Sequence, residues 1–155
     1  MDAGAGMGRT QRDIIRRHAL ASAGAMLFSL LFLVQALVTS AAYLPALVAV
    51  HLLYWLGQGA MLWLIAAGHT ASLRDPGITG VMMAWAVIFL SAALYLCYDC
   101  RELILLGYLM VLPYGIFRLT WRGFLGVALL AMAGYTSVML VLHHQNKMQW
   151  AAGHE

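Results

Sequence analysis

The sequence predicts an all-α protein, a polytopic membrane helix bundle with five transmembrane helices. Three observations predict it. Of its 155 residues 63% are hydrophobic and 10% charged, with a mean hydropathy of +0.82, where a soluble domain is roughly 45–50% apolar and about 25% charged. All 15 charged residues fall outside five runs that together hold 100 residues. Four of those runs reach the roughly 20 residues that cross a bilayer core about 30 Å thick at 1.5 Å rise per residue. Backbone polar groups in hydrocarbon must be satisfied within the segment, so such runs joined by short links read as helices.

Residues 1–17 form a basic cytoplasmic tail with Arg9, Arg12, Arg16 and Arg17, its last part a helical lead-in at the lipid surface. Residues 18–142 are the transmembrane domain, with spans at about 19–38, 44–67, 78–98, 103–117 and 123–142. Between the second and third, Arg74-Asp75-Pro76-Gly77 is turn chemistry that stops a helix. Asp99, Arg101 and Glu102 mark the next link, and Arg118 and Arg122 flank Trp121 in the one after it. The fourth run has 15 residues and carries Pro113, so it spans only with snorkelling and some bilayer mismatch. Residues 143–155 are an outer-side segment.

Orientation follows from the basic residues. With the N-terminus in the cytoplasm, seven of the nine lie inside, and only Arg101 and Lys147 lie outside. That is a positive-inside bias, and Arg16, Arg17, Arg74, Arg118 and Arg122 serve as topology anchors. The protein is thus expected to be a multi-pass membrane protein with a cytoplasmic N-terminus and the lipid bilayer as its first partner. A secretory signal peptide is excluded, because apolar runs continue to residue 142. The net charge of +3 is spread over links and makes no face for nucleic acid.

Polar groups inside spans carry the functional information. In the second span His51, Tyr54, Trp55 and Gln58 stand at i, i+3, i+4 and i+7, on one helix face. His51 would lie about 10 Å below the outer surface and Gln58 near the midplane, from the helical rise. Gln35, Tyr95 and Tyr135, with Thr136 and Ser137, fall in outer halves as well. One reading is a ligand pocket of Gln35, His51, Tyr54, Gln58, Tyr95 and Tyr135, open to the outer side and receiving a small-molecule stimulus. The other is packing, with hydrogen bonds between helices each contributing about 0.6–2 kcal/mol. Cys97 and Cys100, one helical turn apart, and His143 and His144 share the outer end. Their chemistry suits zinc, copper or redox sensing, although interfacial residues at helix ends account for them more simply. His18 and His69 sit near the inner surface and read as solvated or headgroup-facing. No nucleophile–base set, phosphate loop or carboxylate pair appears, so no catalytic residue and no cofactor is assigned.

Two stretches resemble a known family. Arg74-Asp75-Pro76-Gly77-Ile78-Thr79, leading into Gly80-Val81-Met82-Met83-Ala84-Trp85, is similar to the RDPSLT entry to the third span in membrane domains of bacterial diguanylate cyclases, the GGDEF proteins. Tyr114-Gly115-Ile116-Phe117-Arg118-Leu119, followed by Arg122, resembles the FGxFRL segment closing their fourth span. Gly77, Gly80 and Tyr114 depart from that pattern. The resemblance runs over about residues 18 to 150 and implies a sensory and anchoring domain whose output enzyme makes cyclic di-GMP in the cytoplasm, as a homodimer. No Gly-Gly-Asp/Glu-Glu-Phe signature occurs in the chain. Five spans leave the C-terminus outside, so a sixth span and a catalytic domain are expected beyond Glu155. A freestanding small membrane protein, acting as a partner subunit or binding a metal or small molecule, is the alternative.

Overall fold

A computed structural model describes residues 3–39, 43–70, 72–73, 75, 78–116 and 119–152, with described side chains falling between Arg12 and Gln145. Those residues form five α-helices and one 3-10 turn: α1 (Ala3–Thr39), α2 (Leu44–Ala66), α3 (Thr79–Leu96), the turn Tyr98–Cys100, α4 (Arg101–Ile116) and α5 (Trp121–Ala152). Four helices hold segments long and apolar enough to cross a membrane: Arg12–Val38, Leu44–Ala66, Thr79–Leu96 and Trp121–Gln145. The fifth, α4, has 16 residues and Pro113 inside it. At 1.5 Å rise it reaches about 24 Å, short of a full hydrocarbon core.

Helix boundaries follow local chemistry. Pro45 stands in the first turn of α2, where its missing N–H costs nothing. Gly68 takes φ 78°, and the next N–H, of His69, reaches the Leu64 carbonyl at 3.1 Å, closing α2 in a left-handed cap. At the start of α3 the Asp75 carboxylate accepts the Thr79 N–H at 2.6 Å, doing the work of an N-cap. Between them Ile78 lies at φ 43°, a left-handed conformation uncommon for a β-branched residue. Arg74, Pro76, Gly77, Phe117 and Arg118 fall outside the described residues.

Two helices run past the ends of their apolar stretches. The basic segment before residue 18 is the N-terminal part of α1, continuous with the apolar stretch, and α5 runs ten residues beyond Leu142. Charge pattern marks where lipid contact ends, but a helix stops only where capping or turn chemistry stops it. None interrupts α1 at Arg17 or α5 at His143.

The bundle is organised around α3, which touches α2, α4 and α5, while α1 packs on α2 and on the 98–100 turn. Half of the apolar segment of α3 is buried, against 11% of that of α5. Short connections make successive helices antiparallel, so the bundle has a cysteine end, with the α1–α2 link and the 97–100 turn, and an Asp75 end, with the α2–α3 and α4–α5 links. On α1 the inward positions are His18, Ser22, Ala25, Ser29, Phe32 and Ala36, and on α2 they are Leu47, His51, Tyr54, Gln58 and Ile65. Alternating steps of four and three are those of knobs-into-holes packing. Outward faces stay apolar: Val38 is 79% exposed, Leu56 71% and Met132 67%. A surface of that kind suits contact with lipid.

Small residues let the helices approach. A Cβ at Gly57 would lie 2.5 Å from the Trp85 indole nitrogen, and one at Gly107 would lie 2.8 Å from both Leu90 and Phe28. Gly134 sits directly over Ser91 in the same way.

Candidate functional site: a cavity between α1, α2, α3 and α4

The predicted face of α2 points inward. His51, Tyr54 and Gln58 are buried, and Trp55, partly buried, sets its ring edge-on to Tyr54 with centroids 5.3 Å apart. His51 Nδ1 donates a hydrogen bond to the Leu47 carbonyl at 2.8 Å. A carbonyl can only accept, so Nδ1 carries the proton and Nε2 is left as an acceptor. That Nε2 is buried and meets no hydrogen-bond partner among the described residues. The imidazole is stacked on Phe32 at 5.5 Å and meets the edge of Phe89 at 4.8 Å, and Phe89 in turn stacks on Tyr54 at 4.4 Å. A continuous aromatic column thus joins α1, α2 and α3.

Below this column, toward the Asp75 end, lies a cavity of ≈ 300 Å³. Its polar groups include Tyr54 and Gln58, hydrogen-bonded to each other, His18 and Ser22 of α1, and Tyr114 of α4. Its walls are Phe28 of α1, Met82, Met83 and Phe89 of α3, and Met110 and Tyr114 of α4. At this level the inward positions of α1 are the small Ser22 and Ala25, and the pocket opens outward past the exposed Ala21 and Gly24.

The six pocket residues expected from sequence are therefore divided. Tyr54 and Gln58 line the cavity. His51 lies one turn away in the aromatic column, while Gln35, Tyr95 and Tyr135 do not reach the cavity. Tyr95 is exposed near the cysteine end, where its hydroxyl accepts a 3.4 Å hydrogen bond from Gln145. Tyr135 meets Tyr108 edge-on at 6.5 Å, and Tyr108 shares a 2.7 Å hydroxyl–hydroxyl hydrogen bond with Ser91. The cavity sits in the half of the bundle opposite to the one where polar residues cluster in sequence. Phe32 stacked on His51 closes the space between α1 and α2 on the cysteine side, while at Ser22 and Ala25 of α1 the space stays open.

His18 is also corrected. It is buried, 5% exposed, because it continues the inward seam of α1 and faces the bundle. A step of seven to Ala25 was the available signal. His69 is exposed, its ring stacked over Trp63 at 5.9 Å.

Cys97 and Cys100 are joined to each other as a disulfide, with Cα atoms 5.4 Å apart, and both are buried. His143 and His144 are exposed on α5. Among the described residues no group of three or more His, Cys, Asp or Glu is placed to hold a metal ion, so the four outer-end residues are not gathered into one site. Of the basic anchors, Arg16, Arg17 and Arg122 are exposed near the Asp75 end, where headgroups would lie.

No family model, no curated protein and no solved structure matches the chain.

Proposed function

We propose that the chain is the membrane-embedded sensory and anchoring domain of a cyclic di-GMP signalling protein of the diguanylate cyclase type. The observation that carries the sensory part is the cavity: a ≈ 300 Å³ space inside a lipid-exposed bundle, with Tyr54 and Gln58 at its wall. Sites for small molecules form between bundle helices, mostly apolar with a few convergent polar groups. The cyclase part rests on the Arg74–Thr79 and Tyr114–Arg122 stretches. In this reading the protein lies in the bacterial inner membrane, its N-terminus is cytoplasmic, and it works as a homodimer. All five helices cross, α4 with local thinning of the bilayer. Exposed Leu105, Leu106, Leu109 and Met110 support lipid contact for α4. A signal then requires that a ligand favour one of two bundle arrangements.

Two experiments test it. The genomic reading frame around codon 155 should continue into a further apolar span and a GGDEF domain; a stop directly after it overturns the cyclase reading in favour of a freestanding membrane subunit. For topology, Trp150→Cys in a Cys97→Ser/Cys100→Ser background should react with a membrane-impermeant maleimide added to whole cells. Reaction only after the cytoplasm is opened would sink the five-span arrangement.

A further inference from the structure

The composition of the cavity wall says more than its existence. Its rings are Phe28, Tyr54, Phe89 and Tyr114, and its thioethers are Met82, Met83 and Met110, contributed by all four surrounding helices. Phe89 already stacks on Tyr54 with ring centroids at 4.4 Å, so one aromatic face is preorganised. Aromatic guests gain stacking and edge contacts with such rings and sulfur–aromatic contacts with methionine, beyond what area alone provides. An aliphatic chain gains only the area. Volume restricts the guest further. An apolar cavity of about 150 Å³ holds benzene; this pocket offers ≈ 300 Å³ and opens on one side past the exposed Leu20 and Met110, so two fused rings fit with one edge at the mouth.

Gln58 is buried at the pocket wall beside the Tyr54 hydroxyl, and its primary amide carries both kinds of hydrogen-bonding group, two N–H donors and a carbonyl acceptor. We propose that this cavity binds a neutral two-ring aromatic molecule carrying a hydroxyl or carbonyl group, with the rings between Phe89 and the methionines and the polar group on Gln58. The site is the pocket of the sensory reading above and so rests on that reading for its purpose, but binding itself does not depend on any signalling output.

The test uses the full chain in lipid nanodiscs with 1-naphthol as probe, measured by equilibrium dialysis against empty nanodiscs. Saturable binding of one 1-naphthol per chain is expected, with decan-1-ol at least about tenfold weaker. Losing a hydrogen bond of about 1.4 kcal/mol is worth a factor of ten, so Gln58→Leu should weaken binding about tenfold. Ala25→Leu and Met110→Trp fill the space and should abolish saturation, whereas Ala133→Leu on the exposed face of α5 should leave it unchanged. Binding no greater than to empty discs overturns the proposal, as does equal affinity for decan-1-ol, which would make the cavity a slot for lipid chains. If a filling variant fails to fold, Gln58→Leu decides the location: an unchanged affinity overturns it. Saturable binding in a chain whose reading frame carries no cyclase would leave this inference standing and remove the signalling one.

Discussion

Trp85 Nε1 donates a hydrogen bond to the backbone carbonyl of Tyr54 at 3.2 Å, and the indole packs closely on α2 at Gly57, where a Cβ would leave it no room. This contact, with the stacking of Tyr54 on Phe89, joins α2 to α3 beside the cavity wall.

Gly57→Ala tests that relationship. A helix interior favours Ala over Gly by about 1 kcal/mol, but the new Cβ would meet Trp85 Nε1 at 2.5 Å, and such overpacking typically costs about 1–3 kcal/mol. The clash should win, giving a net loss of about 1 kcal/mol in reversible unfolding by denaturing detergent. Gly126→Ala, with nothing within 4 Å of its Cβ, should lose nothing and isolates the contact from propensity.

The buried imidazole of His51 is the sharpest case for separating packing from ligand binding. Its Nε2 meets no hydrogen-bond partner among the described residues, and a buried unsatisfied acceptor costs about 1–3 kcal/mol. His51→Met removes that cost and gives up one bond to Leu47, whose carbonyl lies within α2. The variant should be as stable as the native protein or about 1 kcal/mol more so. A loss above 2 kcal/mol in detergent unfolding would mean that Nε2 is engaged in the membrane.

Ser91 and Tyr108 couple α3 to α4. Ser91 Oγ also bonds the Val87 carbonyl at 2.9 Å, so it keeps a partner when Tyr108 loses its hydroxyl. A double-mutant cycle of Ser91→Ala and Tyr108→Phe should give a coupling of about 0.6 kcal/mol, in line with hydrogen bonds between membrane helices. Zero coupling would show that the hydroxyls do not meet.

The Cys97–Cys100 disulfide joins the end of α3 to the start of α4, both sulfur-bearing residues being buried. Alkylation of the purified protein should yield no adduct before reduction and two after reduction in denaturant. Because the closed loop is short, with a sequence separation of 3, Cys97→Ser/Cys100→Ser should lower stability by no more than about 2 kcal/mol on the loop-entropy scale.

Much of the bundle was legible in the residues. Charge-free runs located all five helices, since a charge in hydrocarbon is costly enough to leave a visible gap. The spacing of His51, Tyr54 and Gln58 identified the inward face of α2, because a helix repeats every 3.6 residues whatever surrounds it. Helix ends were less legible: α5 passes Leu142 because nothing there caps it. Gln35, Tyr95 and Tyr135 were grouped with the α2 face by depth alone, and depth says nothing about which side of a helix meets which neighbour.

The sequence by itself determined a membrane-type, all-helical chain with one polar face on α2, through composition and periodicity, which act along a single segment. Only the tertiary structure decided that His18 is buried, that Cys97 pairs with Cys100, and that the open space lies toward the Asp75 end beside Gln58. A cavity is what remains after side chains from α1, α2, α3 and α4 have been packed together. Its place depends on how Ser22 and Ala25 of α1 meet Gln58 of α2, Met83 of α3 and Tyr114 of α4 around one space, a relation that no local pattern records.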